Sequence, residues 1–254
     1  MVGDRTHVGY VTGSSVRSAV VRAVGDGTRS MEGLLESVAA SESAVYGAVS
    51  ELKERGVLTE TDELRLTGIG GIVRDVLSQL DATESLLSGD AEYWRSHRID
   101  VLPRQFRTDL AALAGCDVVR ATDTDPHRAV RTVANRLEAA EQVAIASPIY
   151  QDEYAMKLPE TGEVRLLLDA AVLANSTVIE GGIEPPENVQ VRVGEVDFAL
   201  TVTDDAIMLS LPKIDGEYDT KSELIAESDC ALDWGRRLYD HCWERARPVS
   251  ETRA

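Results

Sequence analysis

The chain has 254 residues and is 43% apolar, enough for one large or two ordinary domains with packed cores, which excludes disorder as its general state. It carries 44 acidic against 26 basic side chains, a formal net charge of -18, and the acids are dispersed along the chain, which excludes a single solvating acidic tail. Apolar runs such as Val143–Ala146 fall far short of a bilayer span, and the N-terminal MVGDRTHVGY lacks a basic segment followed by a hydrophobic one, so a soluble, cytoplasmic protein with no membrane partner is expected.

The first seventy residues read as three short helices and a hairpin. In SSVRSAVVRAV, Val16, Ala19, Val20 and Ala23 share one face, Ser14 or Ser15 caps the start, and Gly25–Gly27 ends the helix. Ser30 caps MEGLLESVA. Ser41 caps SESAVYGAVSELKERGVL, where Ala44, Val45, Ala48, Val49 and Leu52 recur at helical spacing until Gly56. VLTETDELRLT then alternates on either side of Thr61–Asp62, as a hairpin does. This order predicts a winged helix-turn-helix over residues 1–68.

A helix that reads double-stranded DNA keeps small or short polar side chains near its N-terminus, where backbone and groove approach. Ser41, Ser43, Tyr46, Gly47 and Ser50 lie off the apolar stripe and meet that demand. Ser30, with Arg29 before the second helix, Lys53 at the end of the third and Arg65 on the hairpin, is expected to face phosphates. The alternatives are a solvated serine-rich face, a winged helix used for protein contacts, and intrahelical pairing such as Glu51 with Arg55. Residues 1–70 hold seven basic and ten acidic side chains, residues 71–254 hold 19 and 34, so the acidity is concentrated outside the predicted DNA-binding domain.

Residues 69–88 form a predicted linker helix with an apolar stripe of Ile72, Val73, Val76, Leu77, Leu80 and Leu87. Pairing with its twin through Ile72, Val76 and Leu80 predicts a homodimer; packing on its own domain is the alternative. The GIGG at its start lacks the third glycine and the strand-turn-helix setting of a nucleotide fingerprint.

Residues 89–248 read as an α/β domain, giving an overall class of α+β and α/β. A helix is predicted over Pro126–Ala140 and a buried strand over Gln142–Ser147. Further strands follow in EVRLLLD, VQVRVGEV and FALTVTDDAIMLSL, and CALDWGRRLYDHCWERARP closes the chain as a helix. Ligands of α/β domains gather beyond the carboxyl ends of strands. Ser147, Asp169, the Asp215 and Tyr218 of KIDGEYD, and Thr201 of LTVT are therefore expected to converge on one small-molecule pocket; capping of strands and turns is the alternative.

Catalytic and metal chemistry finds little support. The four histidines, His7, His97, His127 and His241, stand in no HExxH, HxK or GxSxG context, and Ser147 lacks elbow glycines. Asp215, Glu217 and Asp219 lack calcium-loop spacing. Cys116, Cys230 and Cys242 have neither CxxC spacing nor a histidine cluster, so no metal, cofactor or disulfide framework is expected. NST at Asn175–Thr177 matches a glycosylation pattern, but no export segment accompanies it.

SESAVYGAVSELKERGVL resembles the recognition helix and following strand of archaeal winged-helix regulators. EYWRSHRIDVLP (Glu92–Pro103), ASPIY (Ala146–Tyr150), LTVTDDAIMLSLPKIDGEYD (Leu200–Asp219) and DWGRRLYDHCW (Asp233–Trp243) resemble, in that order, the C-terminal effector domain of methanogenesis-regulator-type transcription factors. The resemblance implies a DNA-binding regulator whose second domain senses a small-molecule effector. The dispersed acids and the four lysines resemble the composition of proteins from salt-loving archaea, where molar salt shortens the Debye length to about 3 Å. A metabolic enzyme with an appended winged helix, and a protein-protein adaptor, remain the rival readings.

Overall fold

The structure, a computed structural model, describes residues 7–149, 151–170, 172 and 186–249. Tyr150 of the ASPIY motif and the Asn175–Thr177 pattern lie outside the described residues. The chain divides into two units, Met1–Ala82 and Thr83–Ala254.

The first unit contains α1 (His7–Thr12), α2 (Ser15–Gly25), α3 (Met31–Ser37), α4 (Glu42–Glu54), the antiparallel pair β1 (Leu58–Glu60) and β2 (Leu64–Leu66), and α5 (Gly68–Gly89), which continues past Ala82. The predicted caps hold: Ser14 accepts from the Arg17 amide at 3.3 Å, Ser30 from Gly33 at 3.2 Å and Ser41 from Ala44 at 3.4 Å. Gly56, at φ +66, ends α4 in a conformation that other residues rarely adopt. The helix count is corrected from three by α1. Its six residues are too few to show a period, and tertiary contacts hold it: Val11 is fully buried, and the Tyr10 hydroxyl donates to Glu51 at 2.6 Å. Glu51 also takes the Arg17 guanidinium at 2.9 Å, while Arg55 lies over the Tyr10 ring, 3.7 Å from its centroid, so α1, α2 and α4 are laced together at one corner.

Val20, Val21, Val24, Leu34, Val45, Val49, Leu52 and Leu64 form the core of this unit, and Val73 and Leu77 of α5 join it. The predicted stripe on α5 is therefore two stripes. Val73 and Leu77 face inward, whereas Ile72 (68% exposed) and Leu80 (50%) face solvent, with Val76 half-buried between them. The hairpin meets α5 at Gly70, where an added Cβ would stand 2.2 Å from the Val57 carbonyl oxygen, so only glycine fits.

The second unit holds α6 (Ala91–Ser96), α7 (Arg104–Arg107), β3 (Asp117–Arg120), α8 (Arg128–Ala139), β4 (Gln142–Ser147), α9 (Asp152–Ala155), β5 (Glu163–Leu168), β6 (Val189–Val193), β7 (Ala199–Val202), β8 (Ile207–Ser210), β9 (Ser222–Ala226), α10 (Asp229–Arg245) and β10 (Arg247–Pro248). Among the described residues the strands form one mixed sheet in the order β10-β6-β5-β4-β7-β8-β9-β3. β4, β5 and β6 are mutually parallel and the other pairs antiparallel. β3, β9, β10 and α6 were not among the predicted elements.

Alternation divides the sheet into two faces. Ala144, Ala146, Leu167, Leu200, Val202, Leu209 and Leu224 pack with Trp234, Leu238 and Tyr239 of α10, and Trp234 donates its indole N–H to the Phe106 carbonyl at 3.1 Å. Val143, Ile145, Val164, Met208 and Ile225 pack instead with Val133 and Leu137 of α8, with Tyr154 of α9 against them. Burial of each large apolar side chain contributes roughly 1.5–3 kcal/mol. No helix among the described residues is long and apolar enough to cross a membrane.

Candidate nucleic-acid interface and ligand cleft

α4 buries Val45, Ala48, Val49 and Leu52 and exposes Ser41, Ser43, Tyr46, Gly47 and Ser50. Tyr46 is 53% exposed, and a Cβ added at Gly47 would meet nothing within 4 Å, so a partner's backbone can approach there. The Ser41 and Ser43 hydroxyls lie 3.3 Å apart over the start of the helix. Arg29 and Arg65, with Val24, Gly25 and Leu66, line a hollow of about 240 Å³ beside the hairpin.

Each predicted basic contact has an intramolecular partner. Arg29 donates to the carbonyls of Val24 (2.7 Å) and Thr28 (3.1 Å), Lys53 pairs with Glu60 at 2.6 Å, and Arg65 pairs with Glu63 at 3.1 Å. The two ion pairs are solvent-exposed and worth little, in the range of about 0–1 kcal/mol, so they yield readily to a phosphate.

In the second unit, the carboxyl ends of β4, β5 and β8 share one edge of the sheet, and the five predicted ligand residues distribute around it. Ser147 and Thr201 lie on the α8 face, buried. Tyr218 lies near the Ser210 hydroxyl, which alternation puts on the same face. Asp169 does not join them. Its amide donates to the Ser147 carbonyl at 3.4 Å, but alternation along β5 turns its side chain to the α10 face, where it borders a cleft of about 710 Å³ with His241, Arg245 and Arg247. Asp215 is exposed and accepts from the Glu217 amide at 3.0 Å, closing a turn. The single five-residue pocket is therefore corrected: three residues share a face and two do not. Ser147, Ile145, Leu166, Leu168 and Tyr154 line a narrow cleft of about 50 Å³ there.

Sequence reasoning gave no role to two acids at this edge. Asp219 is buried and gathers four partners: His97 Nε2 at 3.0 Å, the Ser222 hydroxyl, the Lys221 amide at 2.9 Å and Lys213 Nζ at 3.8 Å. Burial alone would raise its carboxyl, but the bonds from His97, Ser222 and Lys221 and the charge of Lys213 outweigh it and hold the group well below the usual carboxylate range. His97 also presents Nδ1 to the Tyr93 carbonyl at 2.8 Å and stacks on the Tyr93 ring at 4.0 Å, so α6 is clamped to the loop that precedes β9. The second acid is Glu223, 8% exposed. Desolvation, then the charge of Asp219, push its carboxyl up to about 8. Burial and Glu223 together raise the hydroxyls of Tyr154 and Tyr218.

These two units define a class: a winged helix-turn-helix and a mixed α/β domain with a polar site at one sheet edge. Residues 126–245 match the family model described as Methanogenesis regulatory protein FilR1, middle domain, a span from just before α8 to the end of α10. The likeness to methanogenesis-regulator-type proteins read from the sequence is thereby borne out. A curated relative, the Methanogenesis regulatory protein FilR1 of Methanothrix harundinacea (strain 6Ac), is 24% identical over 202 residues, which takes in 74% of this chain and 45% of the relative. The chain thus spans about half the length of the curated relative it matches.

Two solved structures are also similar. One is TrmBL2, described as an archaeal chromatin protein with a novel mode of DNA binding (TM-score 0.41, 13% identity, 92% of this chain and 94% of that one). The other is NucT from Helicobacter pylori (TM-score 0.43, 13% identity, 52% and 98%). Superpositions this loose bear on neither mechanism nor partner.

Proposed function

We propose that the chain is a transcriptional regulator that binds double-stranded DNA through α4 and the hairpin, as a homodimer whose second unit takes a small-molecule effector. The observation that carries the DNA reading is the exposed face of α4 around Ser43, Tyr46, Gly47 and Ser50, small or polar residues backed by a buried apolar stripe, with Arg29 and Arg65 lining a hollow together beside the hairpin. The match to a regulatory-protein family over residues 126–245 supports the regulatory reading.

Tyr46→Ala and Ser43→Glu are expected to weaken operator binding about tenfold or more, since individual groove contacts are worth roughly 1–3 kcal/mol. Both positions lie off the buried stripe, so circular dichroism should be unchanged. Gel shifts for both variants that match the parent would remove α4 from the groove. In the parent, affinity should fall less steeply with salt than simple counterion release requires, because the phosphates displace carboxylates as well as ions.

The exposed line of Ile72 and Leu80, with Val76 between, supports pairing of two α5 helices. Ile72→Glu together with Leu80→Glu should give a monomer by light scattering while the fold persists, because neither side chain belongs to the core. A dimeric double variant would move the interface off this helix.

A further inference from the structure

The cleft of about 710 Å³ opens at the carboxyl ends of the parallel strands β5 and β6, where ligands of α/β sheets gather, and its volume lies within the roughly 300–1,000 Å³ of small-molecule sites. One wall consists of the loops that leave those strands and carries Asp169, Glu195 and Asp197. The other is the last turn of α10, with His241 and Arg245, continued by Arg247. The walls meet at Gly194, where an added Cβ would stand 3.3 Å from the Ala246 Cβ. Val101, Pro103 and Phe198 supply apolar lining between them.

Charges of both signs line this cleft without closing on one another. Elsewhere on α10 they do close: Arg237 pairs with Asp109 at 2.7 Å, and Asp240 with Arg165 at 2.9 Å. Among the described residues, by contrast, no carboxylate forms an ion pair with Arg245 or Arg247, and Glu195 pairs with no cation. Arg245 turns one amino group back on its own helix, donating to the His241 carbonyl at 2.9 Å and to Nδ1 of the same ring at 3.0 Å, which leaves its other N–H groups for a partner. A guanidinium only donates, so Nδ1 is the acceptor and the imidazole proton sits on Nε2; Gln105 adds a second bond to Nδ1 at 3.2 Å. Burial, then the charge of Arg245, hold this imidazole below its ordinary value and keep it neutral. A ring that lines the cleft therefore offers an Nε2–H without a partner among the described residues.

A ligand suited to this cleft carries both charges, one for each wall, and a hydrocarbon part for the apolar lining. A simple anion would sit uncompensated against the three acids, and a simple cation against the two arginines. An α-amino acid with an apolar side chain is a small molecule that combines all three features. We propose that the cleft binds such an amino acid as the zwitterion, its carboxylate taken by Arg245 and the Nε2–H of His241, its ammonium by Asp169 and Glu195, and its side chain by Val101, Pro103 and Phe198. This rests on the reading of the second unit as the effector-binding one.

The test titrates the full chain by calorimetry with L-phenylalanine, with phenethylamine, which lacks the carboxylate, and with 3-phenylpropanoate, which lacks the ammonium. L-phenylalanine should bind, and each analogue about tenfold or more weakly, the effect of losing one charge-assisted hydrogen-bonded contact. The variants should then divide the ligands. Arg245→Gln, at an exposed position, should weaken L-phenylalanine and 3-phenylpropanoate about tenfold and leave phenethylamine unchanged. Asp169→Asn should weaken L-phenylalanine and phenethylamine and spare 3-phenylpropanoate. A merely structural role would weaken all three alike in both variants, and that result overturns the assignment, as does failure of L-phenylalanine to bind the parent or equal binding of either analogue. The divided pattern with operator affinity unchanged by L-phenylalanine would keep the zwitterion site and remove its role as effector site. Another small molecule that alters operator affinity, with L-phenylalanine silent, would strike the site and leave the effector reading standing.

Discussion

Asp219→Ala is expected to cost about 3–5 kcal/mol, because it strips a buried carboxylate from a buried imidazole, a hydroxyl and an amide that have no other acceptor of equal strength nearby. For a unit of this size that is a fall in melting temperature of roughly 10 °C by calorimetry. The pH dependence has a definite sign. The folded carboxyl lies below its unfolded value of about 3.9, so its stabilisation is present at all higher pH and is lost as pH falls through the folded value. The variant should therefore lack part of the acid limb of the parent's stability curve. A melting temperature unchanged at neutral pH would mean that the α6 clamp contributes little.

Glu223→Gln should act in the opposite direction. The native carboxyl, pushed up to about 8, keeps its proton between the unfolded value of about 4.5 and pH 8, while the unfolded chain releases its own. Stability conferred by the protonated form is complete below that lower value and declines as pH rises through the folded one. The amide that replaces the carboxyl cannot ionise, so the variant should lose this downward slope and gain a few kcal/mol over the parent near pH 8 and above. Denaturant melts at pH 5 and pH 8.5 would read it; parallel pH dependences in parent and variant would mean that burial does not raise the Glu223 carboxyl.

Where side chains repeat with a period, the fold could be read from the residues. The i, i+3, i+4 spacing of Val45, Val49 and Leu52 marks α4, the apolar run Val143–Ala146 marks β4, and serines at 14, 30 and 41 cap helices because their local geometry is set within three residues. Elements held by distant contacts were not legible. α1 depends on Glu51, forty-one residues from Tyr10, and β9 reads as a plain SELIA until β3 and β8 flank it. The candidate site shows the same division. Strand ends drew attention to Ser147, Thr201 and Tyr218, but alternation along β5 sends Asp169 to the other face. The pairing of His97 with Asp219 spans 122 positions, and Glu223 looks like any solvated acid until the sheet closes over it.

The pairing of Lys53 with Glu60 and of Arg65 with Glu63 bears on how such a protein would find its operator. A winged helix with free cations is drawn to any duplex from a distance and slides along it, spending most of its time on the wrong sequence. Here the cations are already neutralised at short range, and the unit beyond them is acidic. Exchanging a carboxylate for a phosphate on random duplex costs little but also brings little net gain, whereas a site that also seats Tyr46 and Gly47 in the groove would add contacts of its own. On the proposed DNA-binding reading, search should then run by brief, independent collisions with short dwell times on non-cognate DNA, leaving the genome's excess of wrong sites a weak competitor.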